Sequence, residues 1–397
     1  LETPHHNPPR TWFRAIPSFH FRSRYGGGCT VWPNRCFKHK RAPMRCFGPS
    51  AFECGAWYFQ DQIAGDATSF SNCIRDHVKS PGTLSMLEWL WDSVVNPILN
   101  SLGFYKPSSS DQLPHIWWIP TGIASHLPLH AARYHLKCTG ETALDRVVSS
   151  YASSVKSIIH SRRRPFQPAS DRQTRRAVVV SMKNTPKLEP LRHADAEIDE
   201  VLAACKSMGI SGKRPQKCKP DLSLALQDCE IFHFAGHGGA DQLEPLHSKL
   251  LFDDWDSDPF TVAALESNPA LNPPFLAYLS ACGTGQILDQ SSVDESIHLA
   301  NAFQLAGFRH VIGTLWSVDD ALCVDMARIV YELLQKRGMD DECVSRALHH
   351  ATRTLRDGWV DATDVGRGTR HAQIDAVASD ELEREQPLWA PYVHFGV

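Results

Sequence analysis

Two short apolar runs constrain this chain more than any other feature: Ile231-Phe232-His233-Phe234-Ala235 and Phe275-Leu276-Ala277-Tyr278-Leu279-Ser280. Each has the length and composition of a buried strand, and each leads directly into a reactive side chain among small residues. The first ends in Gly236-His237-Gly238-Gly239 and the second in Ala281-Cys282-Gly283-Thr284-Gly285. In an open parallel sheet, functional groups gather just past the carboxyl ends of strands. Two such strands side by side would therefore bring His237 and Cys282 together, a thiol nucleophile beside its base.

The sequence around these runs alternates strand and helix. Residues 177–182 form a continuous apolar run suited to a buried strand. Residues 195–208 carry Ile198, Val201, Leu202 and Cys205 on one helical face, with Gly209 just past the end. Helices are expected at 220–228, 294–306, 320–335 and 341–355, and strands at 311–316 and 387–395. Upstream, Leu84, Leu87, Leu90, Trp91, Val94, Val95 and Ile98 recur at helical spacing, and Pro97 either kinks or ends that helix. Residues 115–120 and 146–151 read as strands, 153–160 as a helix, and 161–176 as a polar, basic loop between two halves. The expected fold class is α/β: a parallel sheet, mixed at its edges, with helices on both faces and a smaller α/β part at the N-terminal side. The expected organisation is one domain over 81–397, with 81–176 as its N-terminal subdomain and 177–397 as the catalytic one. Residues 357–386, polar and without a sustained period, read as a surface insertion or lid.

Residues 1–80 lack periodicity and are dense in Pro, Gly, Arg and Cys. They read as a poorly ordered or misassigned region, against the alternative of a basic arm that stacks Trp12, Phe13, Trp32 and Phe37 on nucleic acid. The first residue, Leu1, suggests a processed chain or a piece of a longer one. A formal charge of -3 over 397 residues offers no electrostatic reason to expect nucleic acid or membrane as a partner. No apolar run is long enough to span a bilayer, and no cleavable leader is evident. None of the 12 cysteines falls in a Cys-x-x-Cys pair, which argues against zinc-ribbon chemistry and for free thiols in a reducing cytosol.

A cysteine nucleophile needs a base and small neighbours that let a carbonyl approach. In this reading Cys282 attacks, His237 handles the proton, and the amides of Gly238 and Cys282 form the oxyanion hole. His233, inside its strand, is assigned to the core. His126 and His130 have the spacing of ligands on a helix, but Pro128 stands between them and no acidic partner is near, so no metal is expected there. His237-Gly238-Gly239 also resembles the oxyanion turn of lipases, whose Gly-x-Ser-x-Gly is missing here. Residues 209–214 lack the spacing of a phosphate loop.

The stretches His233-Phe234-Ala235-Gly236-His237-Gly238, Leu279-Ser280-Ala281-Cys282-Gly283-Thr284-Gly285, Gly313-Thr314-Leu315-Trp316 and Trp389-Ala390-Pro391-Tyr392 resemble those of CHAT domains. So do Trp118-Ile119-Pro120-Thr121-Gly122 and Leu127-Pro128-Leu129-His130-Ala131-Ala132. This family belongs to the caspase-like cysteine peptidase superfamily that includes separase. The resemblance implies a caspase-like α/β fold, a His237–Cys282 dyad that needs no metal or cofactor, a protein or peptide substrate, and a regulatory protein partner. The upstream helical repeats that often accompany the family are not recognisable in residues 1–80, and a catalytically inactive scaffold is the alternative reading. Asp319 and Asp320 follow the strand at 311–316 and resemble the acidic segment of separase, a peptidase that cuts after arginine. One of them is expected to cap the next helix and the other, Asp320, to line the first specificity pocket.

Overall fold

The computed structural model describes residues 14–15, 83–107, 113–120, 124–125, 127–135, 142–163, 175–239, 241, 244–267, 274–282, 298–370 and 387–397. Residues 1–13 and 16–82, His126, and residues 164–174 and 283–297 lie outside them. Eleven described strands form one sheet: β1 (Arg14–Ala15), β2 (His115–Trp118), β3 (Val148–Tyr151), β4 (Arg176–Ser181), β5 (Ser211–Lys213), β6 (Ile231–Gly239), β7 (Lys249–Leu250), β8 (Phe260–Thr261), β9 (Leu276–Cys282), β10 (His310–Thr314) and β11 (Tyr392–Phe395). The main order is β1-β2-β3-β11-β10-β9-β6-β4-β5, and β7 and β8 extend from the end of β6. All neighbours on that path are parallel except β10 and β11. The change of direction therefore falls inside the sheet. The C-terminal strand slots between the halves and joins the N-terminal strands to the strands that carry His237 and Cys282.

Helices cover both faces, as one pair of neighbours in β6 demonstrates. His233 faces α5 (Ala194–Ser207) and α9 (Asp320–Arg337) through Glu197 and Tyr331. The next residue back, Phe232, points the other way and stacks on Phe303 of α8 (His298–Leu305), with ring centroids 5.5 Å apart. Alternation along a strand sends successive side chains to opposite faces, and both are fully buried here. No described helix is long and apolar enough to cross a membrane.

The N-terminal helical run neither stops nor simply kinks at Pro97. It passes from α1 (Leu84–Leu90) through a π-helical turn, Trp91–Val95, into α2 (Asn96–Ser101). Proline has no N–H to return to the preceding turn, and the chain widens ahead of it, with the Asn96 N–H donating to the Trp91 carbonyl. The strand expected from residue 146 begins at Val148. Residues Ala143–Arg146 form a helical turn, α3, because the Thr142 hydroxyl accepts the Asp145 N–H at 2.7 Å. Arg146 then turns inward, donating to Asn96 Oδ1 at 3.0 Å and lying over Trp91 at 4.8 Å. Helix α4 (Val155–Arg162) lies where it is expected, and α6 (Lys219–Leu226) and α7 (Val262–Glu266) lead toward and away from β6. Helix α10 spans Asp341–Arg370, so residues 357–370 are helical rather than part of an aperiodic insertion. Once a long helix is nucleated, each added residue gains a hydrogen bond at little cost. Leu355 and Trp359, four apart, also keep its face against the core. Residues 371–386 lie outside the described set.

Candidate active site

β6 and β9 pair in parallel over seven consecutive positions, from Ile231 with Leu276 to His237 with Cys282. The two residues singled out in the sequence are therefore register partners on adjacent strands, which lie about 4.8 Å apart in a sheet. They close the ladder at its carboxyl end. Just before Cys282, the Thr314 hydroxyl at the end of β10 donates to the Ala281 carbonyl at 3.0 Å, tying that end of β9 to its other neighbour.

His237 does not sit in a turn, as the glycines around it suggest. β6 runs on to Gly239, beyond the end of its partner β4, and takes β7 as a new antiparallel neighbour that pairs Gly238 with Leu250 and Gly239 with Lys249. The Leu251 N–H donates to the His237 carbonyl at 3.0 Å. His237 thus turns its backbone groups toward β7, and by alternation the Gly238 N–H faces β9 at the level of Cys282. Gly236 is required for packing: a Cβ there would lie 2.8 Å from Met182 Cβ and 2.5 Å from Phe234 Cζ.

The His237 imidazole is partly exposed, and its Nε2 lies 2.9 Å from the Glu189 carbonyl oxygen. A carbonyl only accepts, so Nε2 carries the proton and Nδ1 is the basic nitrogen. Nδ1 has no hydrogen-bond partner among the described residues. Glu189 belongs to the loop of residues 182–193 between β4 and α5. Its role escapes sequence reading because a backbone carbonyl has no residue-type signature.

The two aspartates part company at the start of α9. Asp319 is its N-cap, and Oδ1 accepts the Leu322 N–H at 2.9 Å. Asp320 reaches across to the entry of α5, where Oδ2 accepts the His193 N–H at 2.7 Å. At the same end of the sheet, the Ser181 hydroxyl donates to Asp195 Oδ1 at 2.6 Å and holds that carboxyl below the usual carboxylate range. His233 is a core residue: Nε2 meets Glu197 Oε1 at 2.9 Å, Nδ1 meets the Tyr331 hydroxyl at 3.1 Å, and the ring stacks on Tyr278. His130 donates from Nε2 to the Ala390 carbonyl at 3.0 Å and accepts the Tyr151 hydroxyl at Nδ1. Among the described residues no group of three His, Cys, Asp or Glu side chains could hold a metal ion.

With this geometry in place, the CHAT domain family model matches residues 84–397. The chain belongs to the CHAT domain family. No curated protein matches the sequence. Among solved structures, the Saccharomyces cerevisiae separase–securin complex is similar at 13% identity and a TM-score of 0.43, over 71% of this chain and 15% of that one. The complex of Porphyromonas gingivalis RgpB pro- and mature domains is similar at 9% identity and a TM-score of 0.45, covering 83% and 76% of the two chains. Caspase-1 from Spodoptera frugiperda is similar at 13% identity and a TM-score of 0.31, covering 59% and 94%. The CHAT domain described here has an α/β fold with a mostly parallel sheet.

Proposed function

We propose that this CHAT domain is a cysteine endopeptidase acting on a protein or peptide substrate through His237 and Cys282. The observation that carries the reading is the ladder register, which makes the two residues partners at the carboxyl edge of the sheet. In this reading the Cys282 thiol gives its proton to His237 Nδ1 and the sulfur attacks the scissile carbonyl carbon. The amides of Gly238 and Cys282 receive the oxyanion, and because both lie at the last rung of the ladder, that rung gives way to substrate. His237 returns the proton to the leaving amine, leaving a thioester. The imidazole then takes a proton from water, which displaces the acid and regenerates the thiol.

Competing thiols support the assignment by contrast. Cys205, Cys218, Cys229, Cys323 and Cys343 form no disulfides among the described residues. Burial pushes the Cys205 and Cys229 thiols up to about 12 and that of Cys343 to about 11, so these three are not thiolates at neutral pH. The test is labelling with a thiol-reactive peptide probe. Selective modification of Cys282 that is lost in His237→Ala is the expected result, and neither Cys282→Ser nor His237→Ala should cleave peptide while both stay folded. Even labelling of several cysteines, unchanged in His237→Ala, would point to a scaffold instead.

For specificity, we read Asp320 as the acidic residue of the first pocket. One of its oxygens is held by the His193 N–H, and the other is left to meet a guanidinium. A peptide library should show cleavage after Arg, weakened in Asp320→Asn by about 2 kcal/mol or more through loss of a paired charge. An unchanged preference in that variant removes Asp320 from the pocket. We also read the domain as controlled by a regulatory protein partner, as its resemblance to the family implies.

A further inference from the structure

Resting on the proposed role of His237, we infer that Trp255 and Asp320 are positioning residues that hold the Glu189 carbonyl where it selects the reactive tautomer of His237. The loop of residues 182–193 carries that carbonyl, and among the described residues two outside side chains besides His237 are hydrogen-bonded to its main chain. Near its apex, the Trp255 indole N–H donates to the Pro186 carbonyl at 3.1 Å. At its far end, Asp320 accepts the His193 N–H at 2.7 Å.

The apex needs an anchor. Lys187, directly after Pro186, has φ +68°, a left-handed conformation that non-glycine residues avoid. It is held there by the Leu188 N–H donating to Thr185 O at 3.1 Å and by Lys187 Nζ meeting Asp256 Oδ2 at 2.5 Å. The anchor itself belongs to the same ladder as the histidine. Lys249, the register partner of Gly239, places its ammonium over the Trp255 ring at 5.0 Å. The contacts therefore close a circuit: from β6 to β7, through Lys249 and Trp255 to Pro186, along the loop to Glu189, and back to His237 Nε2.

The consequence is chemical. A neutral imidazole carries one proton on either nitrogen, and only the form with Nε2 protonated leaves Nδ1 able to take a proton. If the loop drifts, the carbonyl no longer favours that form, and part of the population holds the proton on the wrong nitrogen.

Trp255→Phe removes the N–H and keeps an aromatic ring for Lys249. Asp320→Ala removes the second anchor from a distant element, so a folding defect in one variant does not disable the test. In protein labelled with 15N-histidine, the wild-type imidazole of His237 should show Nε2 protonated, and each variant should shift it toward a mixture of tautomers. Where peptide cleavage is measurable, kcat in Trp255→Phe should fall on the order of 10-fold with KM unchanged, as for other groups that orient a reactive side chain. An unchanged His237 tautomer in both folded variants overturns the inference whether or not peptide is cleaved. A shifted tautomer in a protein that cleaves nothing supports the inference and counts against the dyad instead.

Discussion

His237 in β6 and His394 in β11 are both strand histidines, but their surroundings give them opposite characters. His237 is partly exposed, donates one proton to a backbone carbonyl, and keeps its other nitrogen without a partner among the described residues. His394 is buried in the middle of a polar chain that crosses four strands. His115 Nε2 lies 2.6 Å from Ser150 Oγ, Ser150 Oγ lies 2.6 Å from His394 Nδ1, and His394 Nε2 lies 3.1 Å from His310 Nδ1. His310 Nε2 ends the chain 3.5 Å from Asp341 Oδ1, at the start of α10. Burial raises the Asp341 carboxyl, but pairing with Arg309 outweighs it and leaves the group ionised well below the usual carboxylate range.

Each hydrogen bond of the chain needs one proton, and a single direction of donation satisfies all of them with every ring singly protonated; His310 Nε2 itself, 3.5 Å from Asp341, has no hydrogen-bond partner among the described residues. All three imidazoles are then neutral, in agreement with burial pushing each of them down from its ordinary value. The difference from His237 teaches what makes a histidine reactive in a fold like this. A ring whose nitrogens are all committed and buried is architecture. A ring with one nitrogen fixed and the other open has chemistry left to perform.

The strongest way to break this comparison is acid. His115, His310 and His394 are joined by three further buried or half-buried histidines held down by burial: His130 at about 4, and His135 and His349 at about 3. Each has a folded value below the unfolded one near 6.5, so the unfolded chain binds protons first as the pH drops. Their stabilisation is complete above roughly pH 6.5 and is lost as pH falls toward the folded values, each fully buried group contributing about 1.4 kcal/mol per pH unit. The denaturant midpoint should fall steadily from pH 7 to pH 5 and the native state should be lost before pH 4. A flat midpoint from pH 7 to 5 would mean that these rings are not held neutral.

A smaller effect sharpens the picture locally. A Cβ at Gly396 would lie 2.6 Å from His310 Nδ1 and 2.8 Å from His394 Nε2, so Gly396→Ala should force the two rings apart and cost about 1–3 kcal/mol. The test is chemical denaturation, and a variant as stable as wild type would show that the chain tolerates rearrangement. Peptide cleavage, if present, should survive at neutral pH, since the His237 site lies on other strands.

The smallest effect separates the two aspartates. Asp319→Ala removes an N-cap and should cost about 1 kcal/mol of stability with no change in cleavage preference. A loss of preference in Asp319→Ala, with Asp320→Asn unaffected, would exchange their assigned roles.

The sequence by itself determined the alternation of strands and helices, the two apolar runs that lead to His237 and Cys282, and the core stripe of α5. These depend on periodicity and on residue type, which a linear reading contains. It also marked His233 as a core residue from its place inside an apolar run. Only the tertiary structure decided that β6 continues through Gly239 against β7, because a strand's end depends on whether another strand is there to pair with it. It decided as well that β11 enters the middle of the sheet, that residues 357–370 continue α10, and that Asp320 reaches His193. The proton on His237 is fixed by a carbonyl 48 residues away in the chain, and every residue type carries the same carbonyl whatever its side chain. Main-chain groups are identical along the sequence, so the work they do is set by where the fold brings them and by nothing the side chains spell out.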